Sequence, residues 1–185
     1  MNDKKVFVLL SIYKNDKFEY VKECLDSLSD QTYSQFNLLV CLDGQVDDKF
    51  FPLIESYRDV TIFINSTNRG LAYSLNKLIV YALESEADYI FRMDADDVCD
   101  KNRLQQQINF MDEHKEIDAS GSSIKEFTHN IRYCFNEVNY PSHISEIKKL
   151  FPFRCPMAHV TVVFRASFFK KFGLYSLQTE KNEDF

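Results

Sequence analysis

Apolar runs of strand character alternate four times with segments of helical spacing before residue 115, and that alternation leaves few folds open. Residues 5–12 form a continuous apolar run, and residues 17–30 then carry Phe18, Val21, Leu25 and Leu28 at helical spacing. A second buried strand is predicted at 36–42, closed by Asp43-Gly44, with Asp47 placed to cap a helix running to Tyr57. A third strand, 60–64, ends in Asn65-Ser66-Thr67-Asn68-Arg69-Gly70 and leads into a helix at 71–84 whose inner face holds Leu71, Leu75, Leu78, Ile79 and Ala82. The fourth strand, 89–93, precedes a helix at 100–114 with Leu104, Ile108 and Met111 inward. Such an order packs as a parallel sheet with right-handed crossovers, so the expected class is α/β.

Beyond Ile117 the pattern changes. Strands are expected at 117–125, 131–136 and 160–164, and a helix at 142–150 after Pro141. A mixed C-terminal half of the same sheet fits this better than a separate domain, because no Pro/Gly-rich linker, internal repeat or low-complexity stretch divides the chain.

Composition excludes several classes. The formal net charge of -6, with no basic stripe to meet phosphate, argues against a nucleic-acid partner. The apolar run at the N-terminus, residues 6–10, is too short for a signal segment or a membrane span. Cys24, Cys41, Cys99, Cys134 and Cys155 form no CxxC pair, which disfavours a zinc site or disulfide framework and fits free thiols in a reducing cytosol.

The run from Ala87 to Met93 passes straight into Asp94-Ala95-Asp96-Asp97, three carboxylates in four residues. Ionised carboxylates this close repel one another unless a divalent cation sits among them, and hard oxygen ligands favour Mg²⁺ or Mn²⁺. The structural alternative is an acidic strand-to-helix turn in which Asp97 or Asp100 caps the next helix. Other polar residues also gather where predicted strands stop: Ser11 and Tyr13, Asp43, and Asn68-Arg69-Gly70. In a parallel sheet those ends share one edge, where one crevice can receive them. There Tyr13 offers a stacking face, Ser11 a hydroxyl, Asp43 an acceptor for a pyrimidine imide N–H, and Asp94 with Asp96 a metal site on a diphosphate. Neither GxGxxG nor GxxxxGK[ST] occurs, so the backbone amides of a glycine loop are not available to hold phosphate and a cation must take that part.

The succession of Val6-Phe7-Val8-Leu9-Leu10-Ser11-Ile12-Tyr13, Leu25-Asp26-Ser27-Leu28 with Gln31-Thr32-Tyr33, Leu42-Asp43-Gly44, Asn68-Arg69-Gly70-Leu71-Ala72 with Asn76, and Met93-Asp94-Ala95-Asp96-Asp97 with Asn102-Arg103-Leu104 resembles the family 2 inverting glycosyltransferases of GT-A fold, of the bacterial surface-polysaccharide type. Cys155-Pro156-Met157-Ala158-His159-Val160-Thr161-Val162-Val163-Phe164-Arg165 resembles a further stretch of those enzymes, and Glu183-Asp184 resembles their Glu-Asp motif.

The resemblance implies a Rossmann-like three-layer sandwich with a largely parallel central sheet. Residues 1–185 would form one catalytic domain, 1–116 its nucleotide-binding half and 117–185 its acceptor-side half, C-terminally truncated because members continue past the Glu-Asp motif. It implies a nucleotide-sugar donor, a UDP-sugar by expectation, and a glycan or lipid-linked saccharide acceptor. Ser11, Tyr13, Asp43, Asn68, Arg69, Gly70 and Asp94 would line the donor site, Asp96 and Asp94 would hold Mn²⁺ or Mg²⁺, and Asp184 would be the catalytic base. His159, Arg69 and Arg92 stand as further groups near acceptor or phosphate. The implied location is the cytoplasm, at the inner face of the plasma membrane, with peripheral association through a region beyond Phe185. A sugar nucleotidyltransferase and a non-catalytic nucleotide-sugar-binding fragment are the alternatives; the first would want glycines after the first strand, which Ser11-Ile12-Tyr13-Lys14-Asn15 lacks.

Overall fold

A computed structural model of the chain describes residues 4–128, 131–153 and 155–178. Its first half follows the expected order: β1 (Val6–Ile12), α1 (Phe18–Ser29), β2 (Phe36–Asp43), α2 (Phe50–Glu55), β3 (Val60–Asn65), α3 (Leu71–Glu84), β4 (Tyr89–Asp94) and α4 (Arg103–Glu113). The second half adds β5 (Ala119–Ser120), β6 (Ile124–Phe127), β7 (Cys134–Val138), α5 (Ile144–Leu150), a 3-10 turn (His159–Thr161), β8 (Val163–Arg165) and α6 (Ala166–Phe172).

Six strands form one sheet in the order β3-β2-β1-β4-β8-β5. The first four run parallel, and β8 runs antiparallel to both β4 and β5. Alternation of side chains across each strand gives two cores. Val6, Val8, Leu10 and Ile12 pack with Val21 and Leu25 of α1 and with Leu104 and Ile108 of α4. Phe7 and Leu9 pack on the other face with Leu75, Leu78 and Ile79 of α3 and Phe169 of α6. A strand covered on both faces must be apolar throughout, which is why β1 reads as a continuous hydrophobic run. The result is the three-layer α/β sandwich with a largely parallel centre.

The second half departs from expectation where strands are short. The strand expected at 117–125 is two pieces in different sheets: β5 joins the main sheet, whereas β6 pairs only with β7. Between them Ser122 turns away, its N–H donating to Thr161 Oγ1 at 2.9 Å. The strand expected at 160–164 starts as a 3-10 turn and becomes β8 only at Val163. Lys170 and Lys171 are exposed on α6, a helix that periodicity does not mark.

A buried arginine ties the halves together. Arg103, at the start of α4, donates through Nη2 to Arg92 O (2.8 Å) and Val160 O (3.0 Å) and through Nε to Gln107 Oε1 (3.1 Å). Gln107 in turn donates to Thr161 O at 2.9 Å. Burial pushes the Arg103 pKa down to about 10, so the guanidinium stays charged at neutral pH. Among the described residues, no helix is long and apolar enough to cross a membrane.

Candidate active site

From β1 the chain moves outward to β2 and β3, then crosses back to place β4 on the other side of β1. Such a reversal opens a crevice at the C-terminal ends of the strands. The register is direct: Ser11 pairs with Asp94 across β1 and β4, and Asp43 pairs with Asn65 across β2 and β3. Ser11, Asp43 and Asp94 therefore lie on one sheet edge, as expected from the sequence.

Asp43 is 3% exposed and heavily bonded. Its Oδ1 accepts from Asn65 Nδ2 (2.8 Å) and from the Arg69 N–H (2.8 Å), and its Oδ2 accepts from the Gly70 N–H (2.9 Å). A carboxylate offers about four acceptor positions, so one on Oδ2 remains. Asp43 thus fastens the Asn68-Arg69-Gly70 loop to the end of β2. Gly44 makes the same junction possible from the backbone side: at φ +87°, a Cβ on it would stand 2.6 Å from Asn68 N. Asn68 and Arg69 are exposed, with the Arg69 guanidinium 4.1 Å over the Tyr73 ring. Asn65, the partner that fixes Asp43, was not marked by the sequence reading; its place at the end of a short apolar strand was the only signal.

Asp94, Asp96 and Asp97 bring one carboxylate oxygen each to within 4.8 Å of one another. Burial, then the charges of Asp94 and Asp96, push Asp97 up to about 6. Asp16, in the β1–α1 loop, is likewise pushed up to about 6, by burial and then by Asp96 and Asp94, although the Tyr13 N–H at 2.9 Å pulls the other way. Asp16 is a fourth acid of this region that the motif reading passed over. Asp100, not Asp97, makes the turn into α4: its Oδ1 accepts from the Asn102 N–H at 2.8 Å. Neither Asp97 nor Asp100 caps α4, whose N-cap is Asn102 and carries no side-chain cap bond. An all-oxygen set under mutual repulsion, at the ligand end of a sheet, fits a hard divalent cation. Tyr13, 40% exposed, stands at the rim with its ring face available.

One basic residue reaches the cluster from below. Arg92, 4% exposed, pairs with Asp94 Oδ2, and its Nε has no hydrogen-bond partner among the described residues. A cavity of about 420 Å³ opens here, lined by Arg92, Asp94, Leu71, Tyr140, Cys155 and His159 among others. A second hollow of about 450 Å³, between Glu55, Tyr57, Asp59, Val60 and Ile62, holds none of the expected site residues.

His159 reaches the cavity because β8 runs antiparallel to β4: the residue entering β8 arrives beside the end of β4. Its Nε2 lies 2.8 Å from Tyr175 Oη. Asn76 of α3 holds Tyr175 in turn, accepting from its N–H (2.9 Å) and donating to its carbonyl (2.8 Å). Burial and then the Arg92 charge push His159 down to about 4, leaving a neutral imidazole at pH 7. Tyr175 carried no signal in the sequence. Glu183 and Asp184 lie outside the described residues.

The chain is 32% identical over 166 residues to an uncharacterized glycosyltransferase of Haemophilus influenzae, covering 88% of this chain and 61% of that protein. It is 28% identical to the O-antigen biosynthesis glycosyltransferase WbnJ of Escherichia coli (86% and 61% covered). It is 27% identical to the UDP-Gal:alpha-D-GlcNAc-diphosphoundecaprenol beta-1,3-galactosyltransferase of E. coli (92% and 62%). The chain thus spans about three-fifths of the length of these curated relatives. Among solved structures, S. aureus TarS 1-349 in complex with UDP superposes with a TM-score of 0.73 at 21% identity, covering 97% of this chain and 52% of that one. The mannosyltransferase PcManGT from Pyrobaculum calidifontis, in complex with GDP-Man and Mn²⁺, gives 0.70 at 14% identity (99% and 51%). These likenesses place the sandwich in the GT-A fold. Residues 8–173 match the model of glycosyl transferase family 2, and the chain belongs to that family.

Proposed function

We propose that this chain moves a sugar from a nucleotide-diphosphate donor, a UDP-sugar, to a glycan or lipid-linked acceptor with inversion, as a metal-dependent step in building a bacterial surface polysaccharide. The observation that carries the reading is the convergence of Asp94, Asp96 and Asp97 beside Ser11, at the crossover between β1 and β4. The relatives' names, O-antigen biosynthesis for one and a diphosphoundecaprenol-linked acceptor for another, support the acceptor class.

In this reading Asp43 uses its remaining acceptor position on the base, Tyr13 stacks on it, and Ser11 and Asp94 face the ribose. Asn68, Arg69 and Gly70 form the flanking loop. Asp96, with Asp94, holds Mn²⁺ or Mg²⁺, and when bound that ion offsets the charge of the leaving diphosphate. Arg92 keeps Asp94 oriented and supplies a fixed positive charge beneath it. Asp184, placed by its resemblance alone, takes the proton of the acceptor hydroxyl. The enzyme works in the cytoplasm at the inner membrane face.

A thermal-shift titration tests the reading. UDP with Mn²⁺ raises the melting temperature, UDP alone raises it far less, and Asp96→Asn removes the metal-dependent part. A wild-type chain, folded but indifferent to UDP and Mn²⁺ together, overturns it. Transfer that survives Asp184→Asn overturns the base assignment.

A further inference from the structure

Large apolar side chains gather on the surface between residues 131 and 153. Ile131, Tyr133 and Phe135, Ile144 at the start of α5, and Phe151 and Phe153 just after it are all exposed, Phe153 at 85%. α5 buries none of its residues, and the β6–β7 pair stands apart from the main sheet. Apolar area of this extent on a folded chain marks a contact surface.

The charge of the segment selects the partner. From Ile144 to Arg154 the chain holds three basic residues, Lys148, Lys149 and Arg154, against one acid, Glu146, in a chain with 28 acidic and 22 basic residues. Lys148 and Lys149 are exposed on the last turn of α5. Aromatic rings interleaved with lysine and arginine seat themselves at the headgroup boundary of a bilayer and are drawn to anionic lipid. In a two-fold pairing of this surface with its own copy, the same basic segments would face each other and repel.

We propose that α5 and residues 151–153 dock the chain on an anionic phospholipid membrane. The excursion leaves the cavity at Tyr140 and returns to it at Cys155, so both of its roots line the space that holds Asp94 and Arg92. Docking through its tip brings the mouth of the site towards the lipid surface, where a lipid-linked acceptor presents its sugar. The acceptor part rests on the proposed transferase reading; the docking part rests on the exposed residues alone. Membrane contact in this proposal resides in α5 and residues 151–153.

Flotation of the 185-residue chain with vesicles tests this, using phosphatidylcholine alone and phosphatidylcholine mixed with phosphatidylglycerol. The chain floats with the anionic vesicles, not with the neutral ones, and high salt releases it. The double change Lys148→Glu and Lys149→Glu lowers the partition coefficient by about thirtyfold or more, and Phe151→Ser with Phe153→Ser abolishes flotation. Both variants keep the wild-type circular dichroism and a cooperative melting transition, which shows that they fold. Flotation of a wild-type chain indifferent to UDP supports the docking while the donor reading fails. Absence of wild-type flotation, or flotation unaffected by either double change, overturns the docking. So does a concentration-dependent dimer in sedimentation velocity that Phe151→Ser with Phe153→Ser dissolves, since that gives the surface to a second copy.

Discussion

Asn76 and Tyr175, 99 positions apart, are joined by two hydrogen bonds in which the Asn76 amide acts as donor and acceptor to the Tyr175 backbone. A side chain thereby does what a neighbouring strand would do, and the phenol that results is held on His159. Asn76→Ala removes both bonds and costs about 2–3 kcal/mol in urea unfolding. Tyr175→Phe keeps the backbone pairing, loses the bond to His159 Nε2, and costs about 1 kcal/mol. Equal costs for the two changes would mean that the amide is not the anchor.

Asp43 should be as intolerant of asparagine as of alanine. Asparagine would turn an NH₂ towards either the Gly70 N–H or the Arg69 N–H and Asn65 Nδ2 pair, placing donor against donor. We expect each variant to lose about 2–4 kcal/mol, read by urea unfolding at neutral pH. Asp43→Asn at wild-type stability would show that these contacts carry no weight.

Arg103 is buried beneath four acceptors contributed by β4, α4 and the chain entering β8. Arg103→Met strands the carbonyls of Arg92 and Val160 and should cost about 3–5 kcal/mol. Lysine, with one nitrogen in place of the fork, recovers only a small part. Urea midpoints of the two variants report the difference.

His159 sets one pH dependence. Its folded value, about 4, lies below its ordinary 6.5, so the stability it contributes is present above pH 6.5 and is lost as pH falls towards 4. At pH 5 the wild type should have lost about 2 kcal/mol relative to neutral pH that His159→Asn does not lose. Parallel pH profiles of the two chains would refute this.

Asp97 sets the opposite one. Its folded value, about 6, lies above its ordinary 3.8, so its contribution is present below pH 3.8 and is lost as pH rises through 6. Without metal, Asp97→Asn should gain about 1–2 kcal/mol on the wild type between pH 4 and pH 7, allowing for partial exposure. Mn²⁺ should narrow that gap, and the stabilisation by Mn²⁺ should itself grow over the same range as the carboxylates ionise. Calorimetry with and without the ion reads both.

The first four strands were legible because β1, β2 and β4 are apolar runs buried on both faces and the edge strand β3, though half-exposed, keeps a β-branched apolar run; β1 starts one residue from where its apolar run does, and α3 falls where its periodicity puts it. β5 and β8 have two and three residues, too few for any period to show, and their sheet is chosen by Gln107, Thr161 and Arg103 from outside the strands. Within the site, Asp94 to Asp97 announced themselves by crowding. Asn65, Asp16 and Tyr175 did not, because each matters through groups the fold brings to it: Asp43 to Asn65, Asp94 and Asp96 to Asp16, and His159 to Tyr175.

The reversal of β8 has an architectural consequence. By feeding His159 to the edge where β1, β2 and β4 finish, it gathers the chemistry on one rim and leaves the opposite rim to plain connections such as Ser56 to Asp59 and Ser85 to Asp88. That far rim is where a fluorophore, an affinity handle or a surface anchor can be grafted, at Arg58 for instance, without any graft facing the crevice.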